Sequence, residues 1–348
     1  MAIDYIITDF IAQATSNTGI DIYYDAAAGT GTSGSPMIQQ IMRYDQAAGQ
    51  IEFDISTPAY TEFWMSFNYE NGTRQTAGRA FITFSGPTQD LFRLVCVETT
   101  TGTVSTQRLE IFNGSTWDTI EVLATDMVSA HAGWPKWDIN FKLHDTLGFF
   151  KLYKDGALVH DTGLIDTLRA TDTTVTKFSL GTTYISASYP EYYSFIVVDD
   201  LDTRGLKWDI DKSASDGFHT GWDGAESNVG TYALWDSVWY SQHMTALVPG
   251  EKRTFNFDAT IAASYIGHTV ESVVLGYGGQ SIVEPGMFVK PLLRIGGTDY
   301  TLTGQTFTST TYSSFMVEVP NDPSTGSPWA DIATVNAVEI GAESSGTA

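Results

Sequence analysis

Two carboxylates two residues apart are the first chemistry the chain offers. Glu52-Phe53-Asp54-Ile55-Ser56-Thr57 alternates polar and apolar side chains. On a strand, Glu52 and Asp54 stand on one face and Ile51, Phe53 and Ile55 on the other. Retaining hydrolysis of a glycosidic bond uses such a pair, a nucleophile and an acid/base about 5 Å apart. No further carboxylate follows as far as Thr57, and a threonine hydroxyl is too weak an acid to serve as the acid/base near neutral pH. The run therefore reads as a solvated polar face, and no residue is assigned as catalytic. A Gly-x-Ser-x-Gly elbow, a His-Glu-x-x-His pair and a phosphate loop do not occur. The six histidines, at 131, 144, 160, 219, 243 and 268, never fall at metal-ligand spacing.

Two further sets could bind rather than react. Calcium takes clustered oxygen ligands on loops, and the candidates are Asp199, Asp200 and Asp202, with Asp209 and Asp211 and then Asp216-Gly217. Neither cluster matches an EF-hand, and acidic residues at strand ends also serve as turn formers. No cofactor is expected. Sugars need aromatic faces beside hydrogen-bonding side chains, and the richest set is Trp222-Asp223, Tyr232, Trp235-Asp236, Trp239-Tyr240 and Gln242. Trp235 and Trp239 are four apart and share a face if the segment is a strand. The same aromatics would equally serve as a small core or a subunit interface. Trp134-Pro135-Lys136-Trp137 is read the same way, Trp137 as core and Trp134 on a loop.

The elements that must position these residues are strands. Period-two alternation recurs at 51–55, 63–67, 79–84, 91–97, 108–112, 118–122, 137–143, 149–153, 157–160, 175–180 and 193–199, and helical periodicity is almost absent. Asp155-Gly156, between two β-rich runs, predicts a tight hairpin. After a turn-rich stretch at 203–217 a second alternating series appears at about 229–240, 251–257, 270–277, 287–294, 311–319 and 335–341. The expected organisation is an attachment segment with a flexible Gly/Ser/Thr-rich loop over 1–36, a jelly-roll sandwich over 37–205, and a smaller antiparallel β-sandwich over 206–348. Residues 1–24 are expected outside the jelly-roll sheets. Ile3, Tyr5, Ile6, Ile7, Phe10 and Ile11 are too apolar to stay solvated, and the small-residue loop 26–36 would let them reach a neighbour.

Composition sets the class. Of 348 residues, 42% are hydrophobic and 13% aromatic, which excludes disorder, and only 17% are charged, which excludes coiled coil. Lys plus Arg total 18 against 41 Asp plus Glu, a net charge of −23. The acidity is spread: residues 1–205 hold 12 basic and 25 acidic side chains (−13), and 206–348 hold 6 and 16 (−10). Such a surface repels phosphate backbones and anionic lipid, so neither nucleic acid nor a membrane is an expected partner. The single cysteine, Cys96, lies in an apolar run and reads as a core thiol. The N-terminal residues carry acids and no basic region, so no secretory signal is read there, and no stretch of apolar residues is long enough to span a bilayer. Synthesis in a cytoplasm is expected.

Residues 45–200, with the long β meander, the strands around Asp155-Gly156 and the closing run Tyr193 to Asp200, resemble a concanavalin A-like lectin/glucanase jelly roll of the laminin G-like kind. Glucanases of that fold carry Glu-x-Asp-x-x-Glu, and Thr57 breaks that pattern here. Asn321-Asp322-Pro323-Ser324-Thr325-Gly326-Ser327-Pro328-Trp329, the run Val335 to Gly341, and the junction Tyr193 to Gly205 resemble virion proteins of tailed bacteriophages. The resemblance implies a non-enzymatic virion component (capsid decoration, head fibre or tail surface), bound to other virion proteins and to copies of itself, as a trimer. A carbohydrate-binding adhesin for host surface glycans is the alternative, and a divergent glycanase the third.

Overall fold

The computed structural model describes residues 5–7, 16–18, 21–24, 40–43, 49–56, 59–71, 79–98, 105–123, 135–182, 191–206, 213–224, 245–257, 269–279, 287–307 and 313–345. The chain divides into two compact units, Asp4–Trp208 and, for its main body, Asp209–Ala348. Both are built of antiparallel strands, so the all-β class read from the alternation holds.

In the first unit the strands are β1 (Tyr5–Ile7), β2 (Ser16–Thr18), β3 (Asp21–Tyr24), β4 (Gln40–Arg43), β5 (Gly49–Asp54), β6 (Glu62–Asn71), β7 (Arg79–Ser85) and β8 (Asp90–Glu98). They continue as β9 (Ser105–Phe112), β10 (Trp117–Leu123), β11 (Lys136–Lys142), β12 (Phe149–Lys154), β13 (Ala157–Asp161), β14 (Lys177–Thr182) and β15 (Glu191–Asp199). One sheet runs β1-β15-β6-β11-β12-β13 and the other β10-β9-β8-β7-β14-β5-β2. The alternation decides what each face carries. Phe63, Met65 and Phe67 of β6 and Ile139 and Phe141 of β11 are fully buried from one sheet, and Ile51, Phe53, Phe84, Phe92, Leu94, Leu109, Ile111 and Phe178 from the other. Six of these rings form a slab between the sheets. Phe92 lies 3.6 Å from Phe141 and 4.3 Å from Phe84, Phe63 5.1 Å from Phe84, and Phe53 5.0 Å from Phe178. The hairpin at Asp155-Gly156 forms as its sequence predicts, with φ of 49° and 80° at the two turn residues.

The N-terminal stretch departs from expectation. β1 pairs with β15, Tyr5 opposite Val198, and β2 pairs with β5, Ser16 opposite Glu52. β1 and β2 thus supply the terminal strand of each sheet in turn, rather than standing outside the jelly roll. The physical reason is the sheet edge: without β1 and β2, β15 and β5 would each present an unpaired row of backbone groups. The opposite edges, β10 and β13, are blunted by register shifts at Thr119/Glu121 and Leu152/Tyr153. The loop expected over 26–36 lies outside the described residues.

The second unit contains β16 (Ser213–Thr220), β17 (Lys252–Phe257), β18 (Val273–Gly279), β19 (Met287–Ile295), β20 (Thr298–Thr301), β21 (Gln305–Phe307), β22 (Ser313–Val319), β23 (Asn321–Asp322), β24 (Ser327–Pro328) and β25 (Glu339–Ser345). Its main sheet runs β16-β17-β25-β19-β20, with β21 also on β19, while β18 and β22 form a separate ribbon. Leu293 of β19, Leu275 of β18, Val319 of β22, Trp329 and Val338 form the core that joins them. The strand expected over 335–341 is corrected at its start. Residues Ile332–Asn336 form a one-turn helix, α1, because the Asp331 side chain accepts the Thr334 N–H at 2.8 Å and caps it; β25 begins only at Glu339. The alternating run at 229–240 lies outside the described residues.

Deleting residues 1–24 removes six strand-pairing positions from the sheet edges. At about 0.5 kcal/mol net for each pairing hydrogen bond, the first unit should lose on the order of 3 kcal/mol. Urea unfolding checks this, and an unchanged midpoint would leave the N-terminal strands without a role in the sandwich.

Candidate functional site

The face that carries Glu52 and Asp54 is the outer face of the seven-stranded sheet. Strand register sets one row across it: Glu52 opposite Ser179, Ser179 opposite Thr83, Thr83 opposite Arg93, Arg93 opposite Glu110, and Glu110 opposite Thr119. Every carboxylate in this region is answered. Glu52 meets Lys177 Nζ at 3.2 Å. Asp54 accepts the Ser56 backbone N–H at 2.8 Å, and hydrogen bonds from Ser56 hold its carboxyl below the ordinary aspartate value. Glu110, 3% exposed, lies between two arginines, with Arg93 Nη2 at 2.7 Å and Arg108 Nε at 2.5 Å. The Arg93 guanidinium sits 4.0 Å over the Trp117 ring, which leans on Phe112 at 5.2 Å. Thr57 lies outside the described residues. A glycosidase needs one carboxylic acid kept protonated near neutral pH, and Asp54 is held towards the ionised form instead. What this arrangement does chemically is neutralise buried and half-buried acids.

Sequence reading missed the Arg93–Glu110–Arg108 triad. Its signal was present as charged residues recurring at outward positions of two apolar runs, but which strands are neighbours is a property of register.

The calcium candidates after β15 meet a different fate. Asp199, 4% exposed, accepts the Leu201 N–H at 2.8 Å, and Asp202 is held by Arg204 at 2.5 Å, which draws its carboxyl below the usual range. Among the described residues no group of three or more acidic, histidine or cysteine side chains gathers around a common point. Asp209 and Asp211 lie outside the described residues, and Asp216 pairs with Arg253. The segment after β15 is instead a strap across the outer face of the six-stranded sheet. Lys136 Nζ donates to the carbonyls of Thr203, Arg204 and Leu206 at 2.8, 3.1 and 3.1 Å and meets Asp138 Oδ1 at 3.0 Å. Ser66 Oγ bonds Thr203 Oγ1 at 2.7 Å and also donates to Asp138. Arg204 covers the rings of Trp64 and Tyr153 at 4.9 and 4.5 Å. Burial draws the Lys136 ammonium below the ordinary lysine value even with Asp138 beside it.

Of the candidate aromatics, Tyr232, Trp235 and Trp239 lie outside the described residues. Trp222 is half-buried against Val289, Phe307 and Ala342, and its indole N–H already donates to the Glu251 carbonyl at 3.0 Å. Trp137 is core, 1% exposed, and Trp134 is outside the described residues. The second unit has a polar hub that the sequence did not announce. Asp299 receives Arg294 Nη1 at 2.6 Å, His219 Nε2 at 2.8 Å and Lys252 Nζ at 2.9 Å, and Lys252 also faces Glu343 at 3.5 Å. Burial acts to raise the Asp299 carboxyl, but hydrogen bonds from Lys252, Arg294 and His219 together hold it at about 2.

No protein-family model and no curated protein matches the chain. Solved structures do resemble it. The carbohydrate esterase of the Shiga toxin-encoding bacteriophage phi24B is 12% identical with a TM-score of 0.39, over 57% of this chain and 97% of that one. The alginate lyase Aly36B in complex with alginate trisaccharide is 15% identical, TM-score 0.37, over 53% and 95%. The exoplasmic/lumenal domain of VIP36, in a Ca2+/Man3GlcNAc-bound form, is 8% identical, TM-score 0.35, over 49% and 83%. Likeness at this level identifies neither a shared family nor a shared activity.

The depressed Asp299 carboxyl sets a pH window. Its folded value lies below the unfolded one of about 3.9, so its contribution is fully present above about pH 4 and is lost as pH falls towards about 2. Asp299→Asn should lower the unfolding midpoint at neutral pH and flatten the decline between these two values. Parallel declines in wild type and variant would contradict the hub.

Proposed function

We propose that the chain is a non-enzymatic structural protein of a tailed-phage particle, working at its surface through protein–protein contacts. The observation that carries the non-enzymatic part is the state of the outer-face acids. Glu52, Asp54 and Glu110 are each committed to a cation or a backbone N–H, which suits a stable face rather than proton transfer. The particle assignment rests on the sequence resemblance of Tyr193 to Gly205, of Asn321 to Trp329 and of Val335 to Gly341. Self-association as a trimer belongs to the same reading. Leu147, Leu158 and Leu164 of the first unit and Leu247 and Val248 of the second are half exposed or more, and supply apolar contact points.

Immunogold electron microscopy of intact particles tests the placement, with label on the particle surface as the expected result and protein found only free as the contrary one. The same preparation should release no reducing sugar from bacterial surface polysaccharide. Glu52→Gln should change no hydrolytic rate and should move stability by no more than about 0.5 kcal/mol, as for a half-exposed ion pair. Release that vanishes in this variant would install a glycanase in place of the structural protein.

A further inference from the structure

We propose that the ring of Phe218, held on the polar face of the second unit's main sheet, is a contact platform for the C–H face of a neutral pyranose, so that this unit binds glycan. The proposal goes beyond the structural role and does not rest on it.

Phe218 is 66% exposed and is the one aromatic among the large hydrophobic residues that the described part of the chain exposes. Its main chain and its ring are held by separate contacts. Its backbone N–H donates to Glu339 Oε2 at 2.7 Å, and the Arg294 guanidinium lies 3.9 Å from the ring centroid on one face. The His219 ring meets it edge-on at 5.0 Å. Both backing groups are anchored on Asp299. The preceding Gly217 lets the strand come this close, because a Cβ there would lie 2.4 Å from Glu339 Oε2 and 2.6 Å from Thr254 Oγ1. The result is a ring backed by charge on one face, with its exposed area towards solvent.

The surroundings select the ligand. A protein anchor is normally ringed by apolar side chains that exclude water, whereas a guanidinium and an imidazole pack against this ring. Docking a protein there would strip water from Arg294, His219, Lys252 and Asp299 together, an unfavourable exchange. A sugar avoids that cost, since its C–H face covers the ring while its hydroxyls replace water at the charged groups. Lys252, Asp299 and Glu343 remain 29%, 20% and 19% exposed and are placed to receive them. Charge argues for a neutral sugar. Lys252 and Arg294 stand against Asp299, Glu339 and Glu343, in a chain of net charge −23, so an acidic glycan would be repelled.

The test uses the full chain and four soluble probes, maltohexaose, cellohexaose, laminarihexaose and mannohexaose, titrated to millimolar concentration by calorimetry. At least one should bind. Phe218→Ala should weaken that binding by about tenfold or more, Phe218→Leu should weaken it similarly because it keeps bulk without a ring, and Phe218→Trp should retain it. All three variants should keep the wild-type unfolding midpoint, and Phe218→Leu carries the comparison if the alanine variant does not fold. Binding of no probe overturns the proposal, as does equal binding by wild type and the leucine variant. A leucine variant that changes the oligomeric state and not sugar affinity overturns it in favour of a protein anchor. None of these outcomes depends on whether the chain is found on a particle.

Discussion

The contact of Phe92 with Phe141 across the two sheets, 3.6 Å between centroids, is the constraint that the first unit depends on. Around it Phe84, Phe63, Phe178 and Phe53 continue a slab of rings. A slab of this width fixes the spacing of the sheets and is built from large apolar residues at alternate positions in the middle of β5, β6, β7, β8, β11 and β14. Among the described residues the centre of the slab is lined by apolar side chains, which leaves the outer faces, sheet edges and loops to carry polar groups.

On those surfaces the governing fact is that cations are scarce. With 18 basic side chains against 41 acidic ones, the described structure places several of its cations where acids are least hydrated. Glu110 has Arg93 and Arg108, Asp138 has Lys136, and Asp299 has Lys252 and Arg294 with His219. A carboxylate buried without such partners would take up a proton or destabilise the fold. Acids at solvated turns, such as Asp145 and Asp155, carry the residual negative charge and keep the surface soluble.

Alternation made the inner faces legible in the sequence: Ile51, Phe53, Phe63, Met65 and Phe67 are buried where a period of two puts them. Asp155-Gly156 specified its hairpin because the turn requires positive φ at both residues. The apolar N-terminal run announced burial but not its partner. Pairing with β15 and β5 follows from which edges the fold leaves open, and that is a three-dimensional property. The aspartates after β15 were clustered in sequence, yet Asp199 and Asp202 are satisfied by Leu201 and Arg204, two residues onward in each case. Spacing alone does not separate a ligand cluster from a series of turns. Phe218 was invisible because what matters about it, exposure and the charged groups behind it, comes from β19, β20 and β25, far away in the chain.

The account stands on the ring slab as the joint between the sheets, and a double-mutant cycle tests that most directly. Phe92→Ala, Phe141→Ala and the double variant are unfolded in urea, and the coupling energy is taken from the four stabilities. The account predicts that the rings stabilise each other by about 0.5–1.5 kcal/mol beyond the cost of each deletion alone. A coupling of zero, with the two deletions simply additive, would mean that the sheets are held together elsewhere.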